Sequence, residues 1–175
     1  MEHHTPRAAL ISGSPSPQSK SRALLGLARE RLAAAGYETA VIELATLPAE
    51  ALLGRKRDGA VEEGLVAVGR ADIVVASSPV YRATYSGLLK VFFDLLPRNG
   101  LEGKVGVPIL TGASPDHRLA LDHGLRPLFA SVGAAVVANG VYGWDAQFTP
   151  APEPGLVALV DRAIDEAVAG ARMTV

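Results

Sequence analysis

Residues 8–21 read Ala8-Ala9-Leu10-Ile11-Ser12-Gly13-Ser14-Pro15-Ser16-Pro17-Gln18-Ser19-Lys20-Ser21. The apolar run at 8–11 is continuous rather than alternating, which reads as a strand buried on both faces. A turn follows. Residues 21–35 then place Leu24, Leu25, Ala28, Leu32 and Ala35 on one helical face, with Gly36 as the stop. The rest of the chain repeats this strand–loop–helix unit. Apolar runs recur at 39–44, 73–76, 105–110 and 134–141, and helix-like stretches at 62–69, 86–96, 119–132 and 155–172. Five alternations of strand and helix predict an open α/β sheet with right-handed crossovers. Residues 145–155 carry three prolines and read as an irregular connection.

Length and composition narrow the function classes. The chain has 175 residues, one domain's worth, and 49% of them are hydrophobic. A single domain over residues 8–175 is expected, with residues 1–7 as a disordered N-terminus and His3 and His4 outside any site. Net charge is −1 and only 5% of residues are aromatic. That gives neither the field nor the stacking platforms for nucleic acid, and no field toward an anionic membrane. No apolar run approaches the roughly 20 residues that span a bilayer. There is no cysteine, which removes disulfides, thiolate metal sites and Cys nucleophiles and fits a cytoplasmic protein. Redox chemistry, if present, must be carried by an organic cofactor.

In open α/β sheets the ligand lies beyond the carboxyl ends of the strands. That selects the loops at 13–20, 77–86, 111–118 and from Gly143 onward. The first holds four serines through Ser21 and one lysine, with no acid. Hydroxyls and helix N-terminal N–H groups suit a phosphate. A Walker A loop would need glycine at position 18, where Gln18 stands, and the dinucleotide fingerprint fails because Gly13 is the loop's single glycine. The alternative is a serine-rich turn with a helix cap. The second loop holds two of the four tyrosines, Tyr81 and Tyr85. They suit the edge of a planar ligand, a subunit contact, or packing of the loop on its own helix.

Taken in order, Gly13-Ser14-Pro15, Pro79-Val80-Tyr81 and Tyr85-Ser86-Gly87-Leu88-Leu89-Lys90 resemble the NAD(P)H-dependent FMN reductases of flavodoxin-like fold. Thr111-Gly112, His117, the stretch from Leu119 to His123 and Leu125-Arg126-Pro127 are similar to the flavin reductase component of two-component alkanesulfonate and methanesulfonate monooxygenases. The resemblance covers residues 8 to about 150. It implies a flavodoxin-like three-layer sandwich around a five-stranded parallel sheet in the order 2-1-3-4-5. It also implies FMN as cofactor, with NADPH or NADH as reductant. The phosphate would be held by Ser14, Ser19, Lys20 and Ser21. The ring would meet Pro79, Val80, Tyr81 and Arg82, with Thr111, Gly112, Ala113 and His117 completing the pocket. Reduced flavin would pass to a partner flavin-dependent monooxygenase.

The same resemblance places His123 at a one-residue π-bulge that lies at a tetramer interface and tunes flavin retention. Read from the residues alone, His123 is a half-exposed helix histidine beside Asp122. His117 and His123 are six apart and suggest no metal site. Ala113, Asp116 and Arg118 depart from the family pattern beside the pocket, so nicotinamide preference does not carry over. Arg55-Lys56-Arg57 is either a solvated run or a contact for the extra phosphate of NADPH or for the partner chain. A homotetramer, or a homodimer, is expected, because Tyr85, Leu88, Leu89, Phe92 and Phe93 offer more apolar surface than one sheet face buries. An FMN-bound quinone or azo reductase shares these motifs, and a non-enzymatic flavodoxin-like electron carrier is a third reading, to which a net charge of −1 gives little support.

Overall fold

Within each central strand, side chains alternate between two faces, and both faces are apolar. Ala8, Leu10, Ile73, Val75, Val107 and Ile109 join one core, while Ala9, Ile11, Val74, Ala76 and Leu110 join the other. The computed structural model describes residues 5–173. Its elements are β1 (Arg7–Ser12), α1 (Lys20–Ala34), β2 (Glu38–Glu43), α2 (Ala49–Leu52), α3 (Gly59–Arg70), β3 (Ile73–Tyr81) and β4 (Thr84–Tyr85). They continue with α4 (Gly87–Phe93), β5 (Val105–Gly112), α5 (Arg126–Ser131), β6 (Ala135–Val136), β7 (Val141–Trp144) and α6 (Pro154–Arg172). The parallel order is β2-β1-β3-β5, with β6 and β7 together forming the fifth position. The flavodoxin-like class is the expected one, but the sheet differs from the expected five-stranded 2-1-3-4-5 arrangement in detail: it has seven strands, with β4 added antiparallel to β3 and the last position divided between β6 and β7.

Residues of α1 and α6 fill one core, and those of α3, α4 and α5 the other, giving three layers. Phe92 and Phe129 are fully buried, and Phe93 meets Phe129 edge-on at 5.4 Å. A Cβ on Gly106 would lie 2.6 Å from the Phe129 ring, so glycine lets that ring lie against β5.

Arg7 of β1 pairs with Glu38 of β2, and the Pro6 carbonyl accepts the Glu38 N–H at 2.9 Å. β1 therefore begins one residue before Ala8. Residues 1–4, with His3 and His4, lie outside the described residues.

The fifth strand is split, where the sequence reads as one run over 134–141. Val137 donates to the Gly106 carbonyl. The next rung on that side of β5 would come from residue 108, and Pro108 has no N–H. Pairing passes from Gly106↔Val136 to Ile109↔Val141, looping out two residues. The freed groups are satisfied from neighbouring helices. Arg126 donates to the Val137 and Ala138 carbonyls, and the Glu166 carboxylate accepts from the Ala138 and Asn139 N–H groups.

Leu89, Phe92 and Phe93 are buried within the single chain, and Tyr85 and Leu88 are half-buried. That surface therefore gives no argument for an oligomer. Among the described residues, no helix is long and apolar enough to cross a membrane.

Candidate active site

The β1–α1 loop closes against α4. Gly13 donates to the Ser77 carbonyl at 2.7 Å, and a Cβ on it would come within 2.8 Å of Leu89 Cβ. Ser19 caps α1, its hydroxyl accepting the Arg22 N–H at 3.1 Å. The other first-turn N–H groups, of Lys20 and Ser21, bond to no described residue. Ser19 and Lys20 are half-exposed, whereas Ser14 and Ser21 are buried. The Ser14 hydroxyl accepts the Ser16 N–H, and the Ser21 hydroxyl sits 3.2 Å from that of Ser19. All four predicted phosphate residues thus share one turn, and its outward donors (two N–H groups, a hydroxyl and an ammonium) have the chemistry a phosphate needs.

The stretch after Ala76, expected to be a loop, continues β3 to Tyr81. Ser77, Ser78 and Pro79 stay in register with Ile109, Leu110 and Thr111. The chain then reverses through Arg82 and Ala83, both with positive φ, 50° and 70°. Thr84 and Tyr85 pair back on Tyr81 and Val80. Two positive-φ residues make the tight turn that suits a hairpin, at a strain glycine would avoid. The predicted ring residues therefore sit on a strand end and its hairpin. Pro79 and Val80 are half-buried, and Tyr81 and Arg82 are exposed.

Buried serines lash these pieces together. Ser77 Oγ donates to the Ser21 carbonyl at 2.6 Å. Ser86 Oγ donates to the Gly13 carbonyl at 2.5 Å and accepts from the Leu89 N–H at 3.1 Å. Ser78 Oγ accepts the Ser86 N–H at 2.8 Å and donates to the Pro79 carbonyl. Ser77, Ser78 and Ser86 are each no more than 2% exposed. These three were not among the predicted site residues. Their signal was a polar pair where the apolar run of a central strand should go on.

Thr111 is buried beside Pro79, Gly112 is half-buried, and Ala113 and His117 are exposed. His117 folds over Gly112, where a Cβ would meet its ring Nδ1 at 3.3 Å. That Cβ would also lie 2.3 Å from the Tyr142 hydroxyl, which donates to the Ser114 carbonyl at 2.6 Å. Burial, then Asp145 and Asp116, push the Tyr142 phenol above its ordinary value. It therefore stays protonated and donating. The loop after β7 brings Asp145 to Lys20, with Oδ1 2.9 Å from Nζ, while Phe148 presents its ring 5.5 Å from the same ammonium. Neither Tyr142 nor Asp145 was singled out from the sequence.

His123 sits within a π-helical turn, Leu121–Leu125, ahead of α5, and is exposed. A Cβ on Gly124 in that turn would lie 2.4 Å from Thr84 Oγ1, so the turn packs on the hairpin. Two members of the basic run are ion-paired, Arg57 to Glu62 at 2.7 Å and Arg55 to Glu50 at 3.8 Å. A depression of about 440 Å³ beside β2, bounded by Val41, Glu43, Leu47 and Gly64 among others, shares no residue with the predicted site.

Residues 6–149 match the profile of NADPH-dependent FMN reductases. The chain belongs to that family. It is an oxidoreductase whose small molecules are FMN and a reduced nicotinamide nucleotide. The family member resembles an FMN reductase (NADPH) of Escherichia coli K12 at 34% identity, over 91% of this chain and 86% of the relative. It is also 34% identical to an NADH-dependent FMN reductase, SfnF, of Pseudomonas putida, over 91% and 89% of the two chains. Among solved structures, the apo form of an NADH:FMN oxidoreductase (EMOB) superposes with a TM-score of 0.87 at 37% identity, covering 94% of this chain and 90% of that one. The relatives' names divide between NADPH and NADH.

Proposed function

We propose that this FMN reductase, as one domain of residues 8–175, carries out hydride transfer from NADPH or NADH to FMN at the carboxyl edge of its sheet. The reduced flavin then passes to a partner flavin-dependent monooxygenase of sulfonate or sulfur metabolism, in the cytoplasm. The observation that carries this reading is the serine lattice. It fixes a turn with phosphate chemistry against the end of the β3–β4 hairpin, where the ring residues lie.

In this reading the Lys20 and Ser21 N–H groups, the Ser19 hydroxyl and the Lys20 ammonium hold the flavin phosphate. Ser14 shapes the turn from beneath. Pro79, Val80, Tyr81 and Arg82 bound the ring on one side, and Thr111, Gly112, Ala113 and His117 on the other. Bound flavin supplies the redox chemistry by accepting two electrons and a proton as hydride. The protein's part is binding and orientation. Exposure of Tyr81, at 48%, leaves that side open for the nicotinamide to enter and the flavin to leave. Handover to a monooxygenase is supported by the resemblance to sulfonate-linked reductases. His123 is proposed, on the same ground, to tune flavin retention at a tetramer interface.

Steady-state oxidation of NADH and NADPH, measured side by side with free FMN, a quinone and an azo dye, tests the reading. Fast turnover that requires free FMN is expected. Turnover with quinone and no added flavin would instead identify a quinone reductase, and slow oxidation by a yellow protein an electron carrier.

A further inference from the structure

Lys20 is the one cation among the residues proposed to hold the flavin phosphate end, and in this structure it is engaged by another anion. Its Nζ lies 2.9 Å from Asp145 Oδ1. Asp145 is held where it is by the architecture around it. It directly follows Trp144, which pairs with Gly112 at the end of the sheet. Its turn is pinned by Gln147, only 7% exposed, whose amide accepts the Trp144 N–H at 3.2 Å and donates to Glu153 at 2.6 Å. Phe148 in the same turn faces the Lys20 ammonium. The loop after β7 thus delivers a carboxylate to the cation of the β1–α1 turn, with both side chains partly open to water.

We propose that Asp145 is a specificity-determining residue for the phosphate end of the flavin, because a flavin phosphate must take Lys20 from the Asp145 carboxylate. This rests on the phosphate reading of the β1–α1 turn. The exchange has two consequences. Part of the gain from each phosphate–Lys20 contact is offset by the lost ion pair and by repulsion between the carboxylate and the phosphate. The protein therefore holds FMN less tightly than its donors alone would allow, which suits a flavin that must leave after reduction. It also narrows the preference for FMN over riboflavin, which has no phosphate to compete for Lys20.

The test is the dissociation constant of FMN and of riboflavin, by flavin fluorescence, for the wild type, Asp145→Asn, Lys20→Ala and the double variant. Asp145→Ser serves as a second, smaller replacement, and circular dichroism checks the fold of each. Asp145→Asn and Asp145→Ser are expected to tighten FMN about threefold to tenfold and to leave riboflavin within about twofold. In the Lys20→Ala background the tightening should shrink to less than half. Unchanged or weaker FMN binding in both Asp145 variants overturns the proposal, since Asp145 would then merely aim Lys20. Failure of the phosphate reading looks different. Lys20→Ala would then leave FMN affinity unchanged, or the wild type would bind riboflavin as tightly as FMN, and the proposal would fall with it.

Discussion

Ser86→Ala removes one hydroxyl that joins two loops and caps a helix. The hydroxyl donates to the Gly13 carbonyl at 2.5 Å and accepts the Leu89 N–H at 3.1 Å, in a residue 2% exposed. Losing an N-cap costs about 1 kcal/mol. Leaving a buried carbonyl without its donor costs about 1–3 kcal/mol more. The expected loss is about 2–4 kcal/mol, or roughly 4–16 °C in Tm for a chain of this size. Urea unfolding, analysed at constant m, reads it directly. Ser86→Gly separates the two contributions, because glycine keeps most of the capping preference. If the bridge to Gly13 matters, the glycine variant is also destabilised, and both variants weaken FMN binding because the phosphate turn loses its tie to the hairpin. A loss under about 0.5 kcal/mol in Ser86→Ala, or a glycine variant as stable as wild type, would refute the bridging argument.

Further outcomes follow from single positions. Gly112→Ala forces a methyl to within 2.3 Å of the Tyr142 hydroxyl. It should cost about 1–3 kcal/mol in thermal melts and weaken FMN binding by loosening the 113–118 loop. Ala83→Gly relieves a positive φ of 70° and should stabilise the fold by roughly 0.5–1 kcal/mol, read in the same melts. Burial pushes the Glu166 carboxyl up, but the Ala138 and Asn139 N–H groups, the Asn139 side chain and Arg126 outweigh it and leave it below the ordinary value. Its contribution is thus present above the ordinary carboxylate value and lost as pH falls through the depressed one. Glu166→Gln should cost about 1 kcal/mol at neutral pH, and the stability difference between the two proteins should shrink as pH falls below the ordinary carboxylate value.

Continuous apolar runs were enough to read an open parallel α/β sheet, because a strand buried on both faces needs no polar side; the three layers and the strand order came from the family resemblance. The breaks were less legible, since they depend on partners far along the chain. Ser77 and Ser78 look like a loop until their hydroxyls are seen bonding to the Ser21 and Pro79 carbonyls, which lets polar residues continue a buried strand. The split of the fifth strand depends on Pro108 in the neighbouring strand. No reading of residues 134–141 alone reveals that. The candidate site divides in the same way. The β1–α1 turn and the Pro79–Arg82 stretch stand out locally, by serine content and by clustered tyrosines. Asp145 and Tyr142 do not, because each acts across a gap, on Lys20 and on the Ser114 carbonyl. The fourth helical stretch, which periodicity reads as one helix over 119–132, contains a π-helical turn around His123, where the resemblance placed a π-bulge, and a short α5. Periodicity does not distinguish these over so few residues.

The central claim is that FMN binds across the β1–α1 turn, the β3–β4 hairpin and the loop after β5. Amide hydrogen exchange with and without saturating FMN measures this most directly. The account predicts slowed exchange in peptides covering residues 13–22, 80–86 and 111–118. Slowed exchange instead around Val41, Leu47 and Gly64, in the depression beside β2, with those three segments unchanged, would contradict it.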